Sequence, residues 1–416
     1  MDQLIRDRLH EALDVEPTPT YLRSQIMRSL PAAERRARWR APHLEWARPW
    51  VAALLAIAVV IGLIAAGRAL GPQLAHRLGH VVTPAFLSSP EGIAVAPDGS
   101  VYFTDYVSAY VFRIEPNGSL VTVAGSRPNG SIDEGDLRMG GSAIDGYLFY
   151  PDALAFDRKG NLYIADGWAN RVRRIDRKGV ITTFAGSGLA EGGMGGYSGD
   201  GGPATRALLN FPASVAVDAA GNVYIGDYLN HKIRMVDTSG RISSLDDSTL
   251  PIPVDQFAPG GLAFDAAGNL YVGSSSYGPA LSDVGCAILR RTPAGVWSMV
   301  AGSGACGFSG DGGPATAAQI TSRGGIAFDA AGNLYVADTI NHRIRRVDAR
   351  GVITTVAAGL EYPESIAVGP GGKLYIAEEA DESITPSAPG RISVLQLSDG
   401  TLTTIIDSKT PIRTSG

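Results

Sequence analysis

Glu91, Asp152 and Glu364 each stand immediately before a copy of the same apolar segment; Ala213, Gly260 and Gly324 stand before three further copies. Three carboxylates gathered at one place form a hard oxygen set suited to Ca2+ or another divalent cation. Left apart, they are solvated loop acids. Other residues that could do chemistry recur at fixed repeat positions. His231 and His342 both lie in Asn-His-(Lys/Arg)-Ile-Arg, which marks them as structural rather than as a metal pair. Asp105, Asp166, Asp227 and Asp338 end the same strand in four copies, and are expected to accept backbone N–H groups or to pair with arginines such as Arg173 and Arg345. No Ser/His/Asp order, histidine cluster or activated cysteine is visible, so no catalytic or cofactor-binding residue is assigned.

The segments behind these residues define the architecture. Six units begin GIAVAPDGSVYFTD (92–105), ALAFDRKGNLYIAD (153–166), SVAVDAAGNVYIGD (214–227), GLAFDAAGNLYVGS (261–274), GIAFDAAGNLYVAD (325–338) and SIAVGPGGKLYIAE (365–378). Each continues into a third and a fourth alternating apolar stretch rich in Val, Ile, Tyr and Thr, which predicts four short strands. Asp-x-x-Gly-Asn between the first two supplies a tight turn, with Gly in the left-handed position. Four-stranded units repeated around an axis predict an all-β, six-bladed β-propeller. Blades taper toward the axis, and the first strand carries Ala94, Ala155, Ala216, Ala263, Ala327 and Ala367 at its middle. The second carries Tyr102, Tyr163, Tyr224, Tyr271, Tyr335 and Tyr375, which are assigned to packing between blades.

These motifs, above all GIAFDAAGNLYVADTINHRIRRVDARGVITTVA (325–357), resemble the NHL-repeat propellers, and the chain is similar to bacterial membrane-anchored members of that family. The resemblance spans about residues 90–407. It implies the fold, and for function it implies a range: sensor domains of receptor kinases, RNA- or protein-binding modules, and metal-dependent lyases and lactonases. Blade 4 departs with Ser274 in place of an acid and an insert before its third strand. Blade 6 departs with Gly-Pro-Gly-Gly at its first turn and an insert near 379–390.

Antiparallel order places the turns after second strands and the connections between blades on one face. The long segments 126–152, 187–213, 246–260 and 303–324 are therefore expected there, making it the binding face. Two of them share GYSGDGGPATRALL and GFSGDGGPATAAQI, which lack the Lys-Ser/Thr of a phosphate loop. Pro203 and Pro314 are expected to take the first position of a short helix. Cys286 and Cys306 flank the outer strands of blade 4, and a disulfide between them is expected in an oxidising compartment.

The chain before the repeats reads differently. Trp50–Gly67 is an uncharged apolar run, the minimum for crossing a hydrocarbon core of about 30 Å. Arg23, Arg28, Arg35, Arg36, Arg38, Arg40 and Arg48 precede it, against Arg68 and Arg77 after it, so the positive-inside rule keeps the N-terminus cytoplasmic. The expected organisation is a short helical cytoplasmic segment (1–48), a single transmembrane helix in the bilayer (49–68), a linker (69–89), the propeller outside the membrane (90–407) and a tail (408–416). With 36 basic against 41 acidic residues there is no basic stripe for nucleic acid.

The expected function is non-catalytic binding or sensing of a protein, glycan or cell-wall ligand through the long-loop face. The alternative is a divalent-cation-dependent lyase or lactonase with a carboxylate site at the channel mouth. A third reading makes residues 1–48 a docking segment for a cytoplasmic partner.

Overall fold

The computed structural model describes residues 87, 89–125, 141–188, 195–274, 285–322, 325–379, 390–407, 410 and the backbone of 412–414. The amino-terminal unit, residues 1–77, and with it the expected span at 49–68, lies outside the described residues. Among the described residues no helix is long and apolar enough to cross a membrane.

Six sheets form the propeller, each built on four antiparallel strands from one contiguous stretch of chain. Blade 1 holds β1 (Pro90–Val95), β2 (Val101–Asp105), β3 (Tyr110–Ile114) and β4 (Leu120–Ala124). Blade 2 holds a two-residue edge strand β5 (Gly141–Ser142), then β6 (Pro151–Phe156), β7 (Leu162–Asp166), β8 (Arg171–Ile175) and β9 (Val180–Ala185). Blade 3 is β10 (Pro212–Val217), β11 (Val223–Asp227), β12 (Lys232–Val236) and β13 (Ile242–Ser244). Blade 4 is β14 (Pro259–Phe264), β15 (Leu270–Ser274), β16 (Cys286–Arg291) and β17 (Trp297–Gly304). Blade 5 is β18 (Ile326–Phe328), β19 (Leu334–Asp338), β20 (Arg343–Val347) and β21 (Ile353–Ala358). Blade 6 is β22 (Tyr362–Gly369), β23 (Lys373–Glu379), β24 (Arg391–Gln396) and β25 (Leu402–Ile406). A last strand, β26 (Ile412–Thr414), falls within the stretch expected to be a tail and runs parallel to β4 at the outer edge of blade 1.

The repeated alanines and tyrosines face each other in register: Ala94 opposes Tyr102, Ala155 Tyr163, Ala216 Tyr224, Ala263 Tyr271, Ala327 Tyr335 and Ala367 Tyr375. A small residue on the crowded inner strand thus leaves room for the large ring beside it. Each ring packs into the next blade, as Tyr102 on Phe156, Tyr224 on Phe264 and Tyr271 on Phe328 show. The apolar core is accordingly six clusters, each shared by two neighbouring blades, and the cluster joining Tyr375, Ile392 and Ile406 to Ile93, Phe103 and Phe112 closes the ring.

The first turns form as the sequence predicts. Asp157 Oδ1 accepts the N–H groups of Lys159 and Asn161, and its Oδ2 accepts from the Asn161 amide; Asp218, Asp265 and Asp329 repeat the pattern. Such local bonding favours turn over strand or helix.

Candidate binding face

Inner strands begin earlier than the sequence suggests. Proline opens β1, β6, β10 and β14, each pairing its first residue with the end of the second strand, and a bulge follows at once. Glu91, Asp152 and Glu364 therefore sit inside the first strands, in these bulges, rather than before them. The bulge turns the residue after proline toward the axis. All three acids line one axial cavity, with Ser214, Gly260 and Gly325 in the other blades; Gly324 lies outside the described residues. The cavity is about 100 Å3. It is open to solvent at its mouth, and its inner part has room for waters, an ion or one protruding group of a larger ligand. Among the described residues no three His, Cys, Asp or Glu side chains are grouped closely enough to hold one ion. The acids share the cavity without forming a ready ligand set.

At the far end of the second strands the acids act as the sequence predicts. Asp105, Asp166, Asp227 and Asp338 are fully buried. They accept the backbone N–H of Ser108, Phe149, Asn210 and Thr321 respectively, at 2.6–2.9 Å. Arg173, Arg234 and Arg345, also fully buried, stand within 3.2–4.0 Å of Asp166, Asp227 and Asp338. Burial pushes the Asp166 and Asp227 carboxyls up to about 6 even against these arginines, and raises Asp338 as well. Blade 4 drops both partners together: Ser274 Oγ accepts the N–H of Ala258, and Leu289 occupies the register position of the arginine.

The long connections do not all stay on the face. Residues 198–207 descend the outer edge of blade 3, where Gly201 and Ala204 donate to Ile242 and Gly240 and Ile242 donates back to Gly202. Residues 309–318 run along blade 5 in the same way, bonding Ile353 and Gly351. Arg234 and Arg345 reach into these belts, 2.7 Å from Asp200 and Asp311. The repeated glycine-rich motif is thus an edge cover. It satisfies the outer strand's free backbone groups, which would otherwise template pairing with another chain. Pro203 and Pro314 cap one-turn 3-10 helices (Ala204–Arg206 and Ala315–Ala317) and stand one residue before the position expected of them.

His231 and His342 are left-handed closing residues of short turns, and His231 Nδ1 lies 2.9 Å from the Phe257 carbonyl. Cys286 and Cys306 are joined in a disulfide with Cα atoms 5.1 Å apart, within the usual span.

The feature of the face that sequence reasoning missed is a row of aromatic rings across blades 1, 2 and 3. Tyr106, Tyr150, Trp168, Phe211 and Tyr228 follow one another with centroids 4.7, 6.3, 5.6 and 6.1 Å apart. Phe149 joins at 5.0 Å from Tyr150, and Trp168 Nε1 donates to the Tyr106 hydroxyl at 2.8 Å. Trp168 remains 53% exposed and Phe149 37%. The row flanks the axial mouth, since Tyr150 is only two residues from Asp152, at most about 7 Å of chain. A usable signal did exist, in the aromatic-proline pairs Tyr150-Pro151 and Phe211-Pro212 at equivalent repeat positions.

These features define a six-bladed β-propeller whose repeats are similar to NHL repeats. The teneurin NHL domain family matches residues 292–359. Human (Homo sapiens) teneurin-4 is 30% identical over 186 residues, covering 42% of this chain and 7% of that protein. Teneurin-m of Drosophila melanogaster is 28% identical over 299 residues, covering 66% of this chain and 10% of its own. The chain therefore spans a tenth or less of those relatives. A solved streptogramin B lyase has a TM-score of 0.48 at 15% identity, over 79% of this chain and 87% of that one.

Proposed function

We propose that this protein is a non-catalytic binding or sensor module, held at a membrane by residues 49–68, whose propeller meets a ligand outside the cell through the face bearing the aromatic row. One observation carries the reading. Two rings of the row, Trp168 at 53% and Phe149 at 37%, stand exposed on the face where loops and connections meet, beside the axial cavity. Binding sites favour loops held by a rigid scaffold, and exposed aromatic groups of this size mark contact surfaces. Co-sedimentation of the full chain with isolated cell-envelope material tests it. The double variant Trp168→Ser/Phe149→Ser should lose retention with an unchanged unfolding midpoint; equal retention would overturn the reading. The topology rests on the arginine asymmetry around residues 50–67. Protease added to intact cells should remove the propeller, and full protection would reverse the orientation.

The alternative, a divalent-cation-dependent lyase or lactonase, is favoured by the convergence of Glu91, Asp152 and Glu364 on one cavity. As placed they do not form an ion's ligand set, so no chemical step is derived through a cation. Metal analysis of the purified chain with and without chelator decides it. A stoichiometric ion lost in the triple variant Glu91→Gln/Asp152→Asn/Glu364→Gln would support the alternative; a metal-free protein would end it.

A further inference from the structure

We propose that Val107, Trp168 and Leu229, with Phe149 beside them, dock the propeller against a lipid bilayer, long-loop face down. This rests on the reading above that residues 49–68 hold the chain at a membrane, and it names what the exposed face meets: the lipid surface itself.

The docking residues recur by position. Val107, Trp168, Leu229 and Ile340 each stand two residues beyond the aspartate that ends the second strand, in the turn into the third. In blades 1, 2 and 3 that residue is the exposed one of its turn, Val107 at 48% and Leu229 at 53%, while its neighbours are buried or half-buried. The turns 106–109, 167–170 and 228–231 contain no Asp, Glu, Lys or Arg. The opposite face differs: Arg158, Lys159, Arg177 and Lys178 stand exposed on the short turns of blade 2. Val, Trp and Leu at one repeat position share apolarity and no common shape, which suits a fluid apolar medium better than a shaped pocket. The rings between these tips pack tilted or edge-to-face on one another, so they brace the tips instead of offering faces of their own. Trp168 Nε1 already donates to the Tyr106 hydroxyl, so what the indole presents is apolar.

What covers these tips follows from where the chain enters. The Tyr106 N–H donates to the Ser89 carbonyl at 2.8 Å, so the polypeptide reaches the propeller against the turn that carries Val107. Residues 68–86 separate Gly67, the end of the uncharged apolar run, from Leu87, which is buried in the seam between blades 6 and 1. That is at most about 70 Å of chain. A chain anchored by the run therefore keeps this face within reach of the bilayer at high effective concentration, where weak contacts suffice. The tips supply them, since apolar side chains, and an indole above all, settle at the headgroup level of a membrane. The nearest cations on these strands are engaged: Arg171 donates to the Ser187 carbonyl and Lys232 pairs with Asp247. Docking is thus driven by apolar area and does not need anionic lipid.

The test uses the full chain carrying Trp39→Phe/Trp46→Phe/Trp50→Phe, reconstituted in phosphatidylcholine vesicles. Trp168 and Trp297 then remain, and Trp297 is buried in the core beside blade 4, out of reach of lipid. Exchanging the lipid for its acyl-brominated form should quench the Trp168 emission, equally in neutral vesicles and in vesicles containing phosphatidylglycerol. Val107→Ser/Leu229→Ser should lose that quenching with the unfolding midpoint held. Flotation of the vesicles separates the two readings. A chain that floats while Trp168 escapes quenching, or is quenched only with phosphatidylglycerol, or stays fully quenched in the double variant, would overturn the docking and leave the anchored module standing. A chain that does not float would overturn the anchor, and the docking with it.

Discussion

Arg173, Arg234 and Arg345 are guanidinium groups taken wholly out of water, each beside an equally buried aspartate. Removing one partner of such a pair strands a charge, which costs about 3–5 kcal/mol, while replacing both by neutral groups can be harmless. Blade 4 shows the harmless form in the same fold, with Ser274 keeping the N–H acceptor and Leu289 filling the arginine's place. Asp166→Ser and Arg173→Leu should therefore each destabilise by about 3–5 kcal/mol, and the double variant by far less than their sum. A denaturant double-mutant cycle reads this directly; additive losses would show that the pair is not coupled. The pH dependence follows from the same burial. Asp166 and Asp227 titrate near 6 when folded, above the ordinary aspartate value of 3.8. Between those values the native state holds protons that the unfolded chain has lost, so stability falls as pH rises through that window. The turn acids act oppositely. Backbone and side-chain hydrogen bonds hold Asp176, Asp237 and Asp348 below the ordinary value, and their contribution is lost only on acidification below about 4. The melting temperature should thus rise as pH is lowered from 8 to 5 and fall below 4. A steady decline from 8 to 5 would mean the buried carboxylates stay charged.

At the scale of elements, the glycine-rich belts are held by backbone geometry. Gly199 has φ +93°, and a Cβ there would meet the Ala207 Cα at 2.7 Å; Gly201 has φ +78° with open space around it. Gly201→Ala should cost only the left-handed penalty of about 1–2 kcal/mol. Gly199→Ala must also push the belt from β13, so it should cost more and speed amide exchange at Ile242. Equal losses would show that the belt gives way freely. The comparison also marks what the sequence made legible. Strands and the Ala–Tyr pairs could be read because they repeat in every blade, and the Asp-x-x-Gly-Asn turn because it recurs in blades 2 to 5. The belts could not, because pairing a long connection with the outer strand of the next blade depends on non-local hydrogen bonds that no periodicity encodes. The aromatic row was hidden for a related reason: its rings come from separate loops, with Tyr106 one residue beyond Asp105 but Trp168 two beyond Asp166.

The whole ring closes without exchanging a strand within a blade, since all four strands of blades 1 and 6 come from contiguous chain. Beside the hydrogen bonds of Ser89 to Glu379, Ile93 to Ser365 and Gly390 to Leu87, two larger contacts hold it shut. One is β26, three residues clasping β4; the other is the apolar cluster shared by blades 6 and 1, in which Phe103, Phe112, Ile392 and Ile406 are fully buried. The magnitudes favour the cluster. A few ladder hydrogen bonds net about 1 kcal/mol each, whereas emptying the space of one buried phenylalanine costs about 3–5 kcal/mol. Deleting residues 408–416 should lower stability by roughly 1–3 kcal/mol and leave a single cooperative transition. Phe103→Ala should cost more and expose the seam between blades 6 and 1 to limited proteolysis before global unfolding. If the deletion instead splits unfolding into two phases, the terminal strand is the latch and the packed seam alone is too weak to keep six wedges in a ring.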